Sequence, residues 1–391
     1  MKKFAEIPVV FITDDNYSLP TGVAVTSLIK NKNPQTLYKI YIIVTDNVSK
    51  KNKEKLAKCG NKNNKVELID VDVKSLDAYK NPFSYVTPAA YLKFNIAGLL
   101  PQHDKVIFLD GDILVKGDLS DFYKIDISSV YFGAVTDYCA IFEYDHHKRL
   151  NLSSYINSGI LLLNSLKMRN DYFEDTLYKI LKTNPVFPLM DQDIFNLAAK
   201  ENFVSCPVYY NVMFHNYIYA NKKGINGFNE HYKTTYLSFD DLVKDAKIIH
   251  LTNSVKPWKY KDAFFHYEWM KYKRKSPFRY NKLSLNYFFK PNQNITFKFI
   301  IKKKIKNILK NLPIIKQCVN RYNDLKRIIY ESNNILESIQ KSINIENNDE
   351  KLFQLEQQLN RLNSWNLIKN KENLSSLEQE IREIGNNENT I

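Results

Sequence analysis

The chain has 391 residues, 44% of them hydrophobic and 13% aromatic, and a formal net charge of +14. That is enough apolar material for one large domain plus an appendage, or for two domains, and it excludes a wholly disordered chain. Twenty Lys and Arg against three acids between Lys256 and Arg327 give that segment +17 and leave the rest near −3, so the basicity belongs to one segment.

The four cysteines, Cys59, Cys139, Cys206 and Cys318, form no C-x-x-C pair. Neither a zinc site nor a disulfide framework is expected, and a reducing cytoplasm fits best. Met1-Lys2-Lys3 leads straight into a strand pattern rather than a signal peptide, and no stretch approaches the roughly 20 apolar residues of a membrane span.

In chain order, Ile7–Thr13 reads as a buried strand ending in acids, and Leu19–Lys30 carries helical spacing. Lys39–Thr45 is a second strand, Val48–Cys59 a polar helix and Lys65–Val71 a third strand. Pro88–Leu100 predicts a helix and Lys105–Leu109 a fourth strand. Further strands are expected at Tyr131–Thr136, Ile160–Leu163 and Lys247–His250, with helices near Asp171–Leu181 and Asp191–Lys200. Near-continuous apolar strands separated by helices imply an α/β fold with a mostly parallel sheet covered on both faces. Its ligands are expected beyond the carboxyl ends of the strands.

The globular part is expected to end near Ser276-Pro277. Between Pro291 and Asn320 there are seven lysines and no acids. Phe297, Ile301, Ile305, Ile308, Leu312 and Ile315 share one helical face, which Pro313 interrupts. Such a basic amphipathic segment predicts peripheral attachment to an anionic membrane surface. Nucleic acid is not expected as a partner, because no recognised binding motif accompanies the charge. The blocks Leu352, Leu355, Leu359, Leu362 and Leu374, Leu377, Ile381, Ile384 predict a helical hairpin or a coiled coil that makes a homo-oligomer or folds back.

Phe108-Leu109-Asp110-Gly111-Asp112 places two carboxylates at the end of a buried strand. On an extended chain residues i and i+2 point the same way, and hard oxygen ligands suit Mg²⁺ or Mn²⁺. An acidic loop is the plainer reading of such a motif alone. Thr13-Asp14-Asp15-Asn16-Tyr17 can hold a nucleoside or form an Asx turn before a helix. His250, at a strand end, can complete a metal site or be structural, and Lys256 can neutralise a leaving diphosphate. Asp191-Gln192-Asp193 opens a helix, where acids also favour the macrodipole.

Taken together and in order, these motifs resemble glycosyltransferase family 8, whose members include bacterial lipopolysaccharide galactosyl- and glucosyltransferases and glycogenin. The likeness spans roughly Ile7 to Tyr260 and includes Tyr155-Ile156-Asn157-Ser158-Gly159-Ile160 and Lys256-Pro257-Trp258. Asn253 stands where the family usually has glycine. Tyr91 stands where many members carry a donor-binding arginine; Lys93, two positions on, would face elsewhere on an α-helix.

The resemblance implies a GT-A-like nucleotide-binding domain, taken over residues 1–276, while the charge and heptad patterns beyond it give a membrane-associating segment over 277–320 and a helical tail over 321–391. It implies a retaining transfer of galactose or glucose from a UDP-sugar to a glycan or lipid-linked saccharide, at the cytoplasmic face of the membrane. Mn²⁺ or Mg²⁺ would be held by Asp110, Asp112 and His250. Donor-binding residues would be Thr13, Asp14, Asn16, Tyr17, Lys93, Asp110, Gly111, Asp112, Asn157, Ser158, Asp191, Gln192, Asn253 and Lys256. Gln192 and Asp193 are the candidates for catalysis at the sugar. Two other readings remain at this point: a phosphatase of the haloacid dehalogenase kind, and a coiled-coil scaffold carrying an inactive transferase domain.

Overall fold

The computed structural model describes residues 6–73, 88–183, 187–216, 224–252 and 254–286. The expected tail, the basic segment past Asn286 and Asn253 lie outside them.

Ten strands are present among the described residues. In chain order they are β1 (Glu6–Thr13), β2 (Leu37–Thr45), β3 (Val66–Val71), β4 (Val106–Leu109) and β5 (Ile113–Val115), followed by β6 (Phe132–Thr136), β7 (Ile156–Leu163), β8 (Phe203–Ser205), β9 (Val212–Met213) and β10 (Ile248–His250). Seven form the main sheet in the order β3-β2-β1-β4-β7-β6-β8. Only β7 runs against its neighbours, pairing antiparallel with both β4 and β6. A second sheet has the order β5-β10-β9.

The central strands β1, β2 and β4 carry long apolar runs because both faces of the main sheet are covered there. Successive side chains alternate between two cores. Val9, Phe11, Ile40, Ile42 and Leu109 pack with helices Ser18–Lys30 and His266–Lys273. Val10, Tyr41, Ile43 and Phe108 pack on the other face with helices Phe173–Thr183 and Asp191–Ala199. The expected mostly parallel α/β sheet is therefore present, and the chain takes a GT-A-like fold.

Two local expectations are corrected. Asp110 and Asp112 do not lie on extended chain: β4 ends at Leu109 as expected, Gly111 and Asp112 form a bend, and Ile113–Val115 joins the second sheet. Gly111 permits the bend to pack closely, since a Cβ there would lie 2.4 Å from Thr21 Oγ1.

The segment predicted as one helix over Pro88–Leu100 is a 3-10 helix, Pro88–Asn95, followed by a short α-helix, Ile96–Leu99. Residues i and i+3 eclipse in a 3-10 helix. Tyr91 and Phe94 accordingly share the buried face, their rings 5.7 Å apart.

Packing also continues past Ser276. Phe278 is fully buried, its ring lying where a side chain on Gly22 would otherwise go, and Asn286 bridges to Tyr260. No helix among the described residues is long and apolar enough to cross a membrane.

Candidate active site

Strand register builds the site. β1 and β4 are parallel neighbours, so Thr13–Tyr17 and Asp110–Asp112 leave the sheet at the same end. β10 pairs with β5 so that His250 lies opposite Ile113, which sets the imidazole beside Asp112. Antiparallel β7 brings its first residues to that end, and Gly159 O accepts from Asp110 N at 2.8 Å.

Asp110, Asp112 and His250 each offer a ligand atom within 4.8 Å of the others. His250 Nε2 is 3.3 Å from Asp112 Oδ1 and 3.8 Å from Asp110 Oδ2. Two carboxylates and an imidazole are a donor set that suits a divalent cation such as Mn²⁺. The space beside them depends on Gly159, where a Cβ would come 2.3 Å from His250 Cε1 and 2.6 Å from Asp110 Oδ2. The residues present therefore fit a metal ion.

A chain of amides orients the imidazole. His250 Nδ1 is 3.1 Å from Asn211 Oδ1, Asn211 Nδ2 donates to Asn157 Oδ1, and Asn157 Nδ2 donates to Gln192 Oε1. Such partners fix the ring of a metal-ligating histidine. Asn211 had no sequence signal, because its role comes from a two-residue strand, β9, beside β10.

Each Asp of the pair has its own lysine. Lys256 Nζ lies 2.7 Å from Asp112 Oδ2 and also reaches Leu251 O. Lys93 Nζ lies 3.1 Å from Asp110 Oδ1 and 2.8 Å from Asp191 Oδ2. The expectation that Lys93 faces elsewhere is thereby overturned: in the 3-10 helix Tyr91 turns into the core and Lys93 turns to the carboxylates.

Burial raises Asp110 above the ordinary carboxylate range, opposed by Lys93 and assisted by Asp112. Burial acts in the same sense on Asp112, but Lys256 and His250 outweigh it and hold that carboxyl well below the usual range. Burial also opposes charge on Lys93, yet Asp110 and Asp191 raise it above an ordinary lysine. Three carboxylates against two ammoniums leave the cluster one net negative charge before His250 is counted.

The other expected residues divide clearly. Asp14 Oδ1 accepts from Tyr17 N, three residues on, at 2.8 Å, the geometry of a helix N-cap, and Thr13 and Ser18 hydroxyls both donate to Asp14 O. Tyr17 stands edge-on to Trp258, centroids 5.8 Å apart, and Asn16 is exposed. Ser158 Oγ donates to Asp191 Oδ2, and Gln192 Oε1 accepts from Asn157 Nδ2 and Ser158 N.

Asp193 is different. Its side chain is fully buried and accepts from Arg149 Nη2, Tyr155 OH and Leu189 N. A carboxylate so held fixes the start of helix Asp191–Ala199. Asp193, a catalytic candidate from the sequence, therefore has its carboxylate oxygens engaged by these three donors.

A further pair escaped sequence reading. Asp137, ending β6, lies 2.9 Å from His215 Nε2, and His215 Nδ1 lies 2.6 Å from Thr252 Oγ1, two residues beyond His250. Burial raises the Asp137 carboxyl, but His215 outweighs it and holds it below its usual value. The signal was an apolar strand ending in Thr136-Asp137, the same pattern as β1.

An open, mostly parallel sheet with one reversed strand, and an acidic cluster at its carboxyl edge beside a small second sheet, define a sugar-nucleotide transferase fold. Residues 8–262 match the model of Glycosyl transferase family 8, and the chain belongs to that family. It is 25% identical to General stress protein A of Bacillus subtilis over 285 residues, which are 68% of this chain and 94% of that protein. It is 26% identical over 299 residues to a lipopolysaccharide 1,2-glucosyltransferase of Escherichia coli, covering 74% of this chain and 80% of that one.

Among solved structures, galactosyltransferase LgtC in complex with donor and acceptor sugar analogs aligns with a TM-score of 0.60 and 20% identity. That alignment covers 69% of this chain and 96% of LgtC. The likeness to LgtC shows the fold. The phosphatase alternative has no support in these comparisons.

Proposed function

We propose that the chain is a metal-dependent, retaining hexosyltransferase. It would move galactose or glucose from a UDP-sugar to a glycan or lipid-linked saccharide in lipopolysaccharide or surface-glycan synthesis. The observation that carries this reading is the convergence of Asp110, Asp112 and His250 within 4.8 Å at the end of the sheet where Thr13–Tyr17 also emerges.

Asp110, Asp112 and His250 would hold Mn²⁺ or Mg²⁺, which supplies Lewis-acid stabilisation of a departing diphosphate. Thr13, Asp14, Asn16 and Tyr17 bind the nucleoside, with Trp258 bracing the Tyr17 ring. Lys256 and Lys93 bring fixed positive charge to the diphosphate side and balance the carboxylates. Ser158, Asp191 and Gln192 form one hydrogen-bonded wall against which the sugar is oriented. Within this wall Gln192 is the candidate for catalysis at the sugar. The lysine-rich segment past Pro291 supports work at the inner face of a membrane, with the C-terminal heptads as an oligomer contact.

A UDP-release screen over UDP-sugars, with and without Mn²⁺, tests the reading. Turnover of one UDP-hexose, dependent on metal and abolished in Asp112→Asn and His250→Ala, is expected. Undiminished turnover by those variants, or release of phosphate from simple phosphate esters alone, would sink it.

A further inference from the structure

Helix Ser18–Lys30 has 13 residues and carries Tyr17 at its first end; at its other end, roughly 20 Å away, lies a cavity. Its volume is about 510 Å³, and Lys30, Lys55, Lys58, Lys275 and Arg279 line it, with no acidic side chain among the lining residues. None of the five forms an ion pair with a carboxylate among the described residues.

The bland explanation is the helix macrodipole. Three helices, Ser18–Lys30, Lys50–Ala57 and His266–Lys273, end around this cavity. Each C-terminus is equivalent to about half a negative charge, so together they balance fewer than two of the five cations. Positive charge remains uncompensated. Burial and the neighbouring Lys55 also push Lys273 below an ordinary lysine, as expected where cations lack anions.

We propose that this cavity binds the phosphate group of an anionic ligand. Phosphate is the class that several ammoniums and a guanidinium recognise together. Two sources share that chemistry: a phospholipid headgroup and a soluble phosphorylated compound. The two arms of the test below separate these sources. The proposal does not rest on the transferase reading, because its readout is binding.

The test uses the full chain and the triple variant Lys58→Glu/Lys275→Glu/Arg279→Glu, all three positions being exposed and outside the transfer site. Co-sedimentation with phosphatidylcholine vesicles, with and without phosphatidylglycerol, is compared with calorimetric titration of inorganic phosphate and pyrophosphate in the absence of Mn²⁺. For a lipid source, binding to the phosphatidylglycerol vesicles falls roughly a hundredfold in the variant although the lysine-rich tail is intact. For a soluble source, the phosphate heat is lost in the variant while vesicle binding stays. The idea is overturned if the variant matches the parent in both assays, or if the parent binds neither probe. Should the charge reversal lower the melting temperature, the variant Lys58→Gln/Lys275→Gln/Arg279→Gln is read in its place.

Discussion

Lys93 Nζ lies 3.1 Å from Asp110 Oδ1, so one of the two candidate metal-ligating carboxylates already carries a fixed cation that also grips Asp191. Removing it leaves two enclosed acids facing each other. Lys93→Met should cost about 3–5 kcal/mol of stability, the range for breaking one partner out of a buried pair. It should also lower kcat/KM for the UDP-sugar by about a hundredfold or more. Urea denaturation and UDP release measure the two effects. An unfolding midpoint equal to that of the parent protein would show that the pair contributes nothing.

Asn211 touches no substrate in the proposed mechanism, yet it orients His250 Nδ1. Loss of such an outer partner typically costs about 10–100-fold in metal affinity. Asn211→Ala should therefore need more Mn²⁺ for half-maximal UDP release while reaching near-parental kcat at saturation. Chelation with EDTA should abolish turnover in both proteins, and Mn²⁺ should restore it. Unaltered Mn²⁺ dependence in the variant would disprove the orienting role.

Gln192 and Asp193 are adjacent but do different work. Asp193→Ala strands the buried Tyr155 hydroxyl, an orphaned buried group costing about 1–3 kcal/mol, and also removes the acceptor of the exposed Arg149 guanidinium and the half-buried Leu189 amide. A large drop in melting temperature is expected. Gln192→Ala should melt close to the parent and lose turnover. A stable, inactive Asp193→Asn with unchanged substrate KM would return Asp193 to the chemistry.

Acid should weaken the fold in two stages. His103, His146 and His231 are each held below the ordinary histidine value, chiefly by burial. The unfolded chain therefore binds protons from about pH 6.5 downward before the folded chain does, and stability falls as pH drops below that value. Asp137, also depressed, adds a second loss: its contribution is present above about pH 3.9 and disappears as pH falls through its folded value. Urea midpoints should decline from pH 7.5 to 5.5, and less steeply in His231→Gln. Parallel pH profiles for variant and parent would remove His231 from this account.

The main sheet was legible because a strand buried on both faces must be apolar through its centre, as Ile7–Ile12 of β1, Ile40–Val44 of β2 and all of β4 are. The second sheet was mostly not: β5 and β9 have three and two residues, too few to show any period. The position of Lys93 was misjudged for a related reason. Helical spacing is read as 3.6 residues per turn, while the packing of Tyr91 and Phe94 winds this segment as a 3-10 helix.

For Asp110, Asp112 and His250 the order of motifs along the chain was sufficient to propose a metal site. Local chemistry is written in residue types, and strand-end acids are where an α/β sheet binds ligands. Which of the neighbouring acids are free was decided only in three dimensions. Asp191 meets Lys93 from 98 positions away and Asp193 meets Arg149 from 44. Pairings over such separations depend on register and helix packing, which no local pattern encodes. Sequence alone thus determined the family, the sheet and the candidate ligands; tertiary structure decided that Lys93 pairs with Asp110 and Asp191 and that Asp193 pairs with Arg149 and Tyr155.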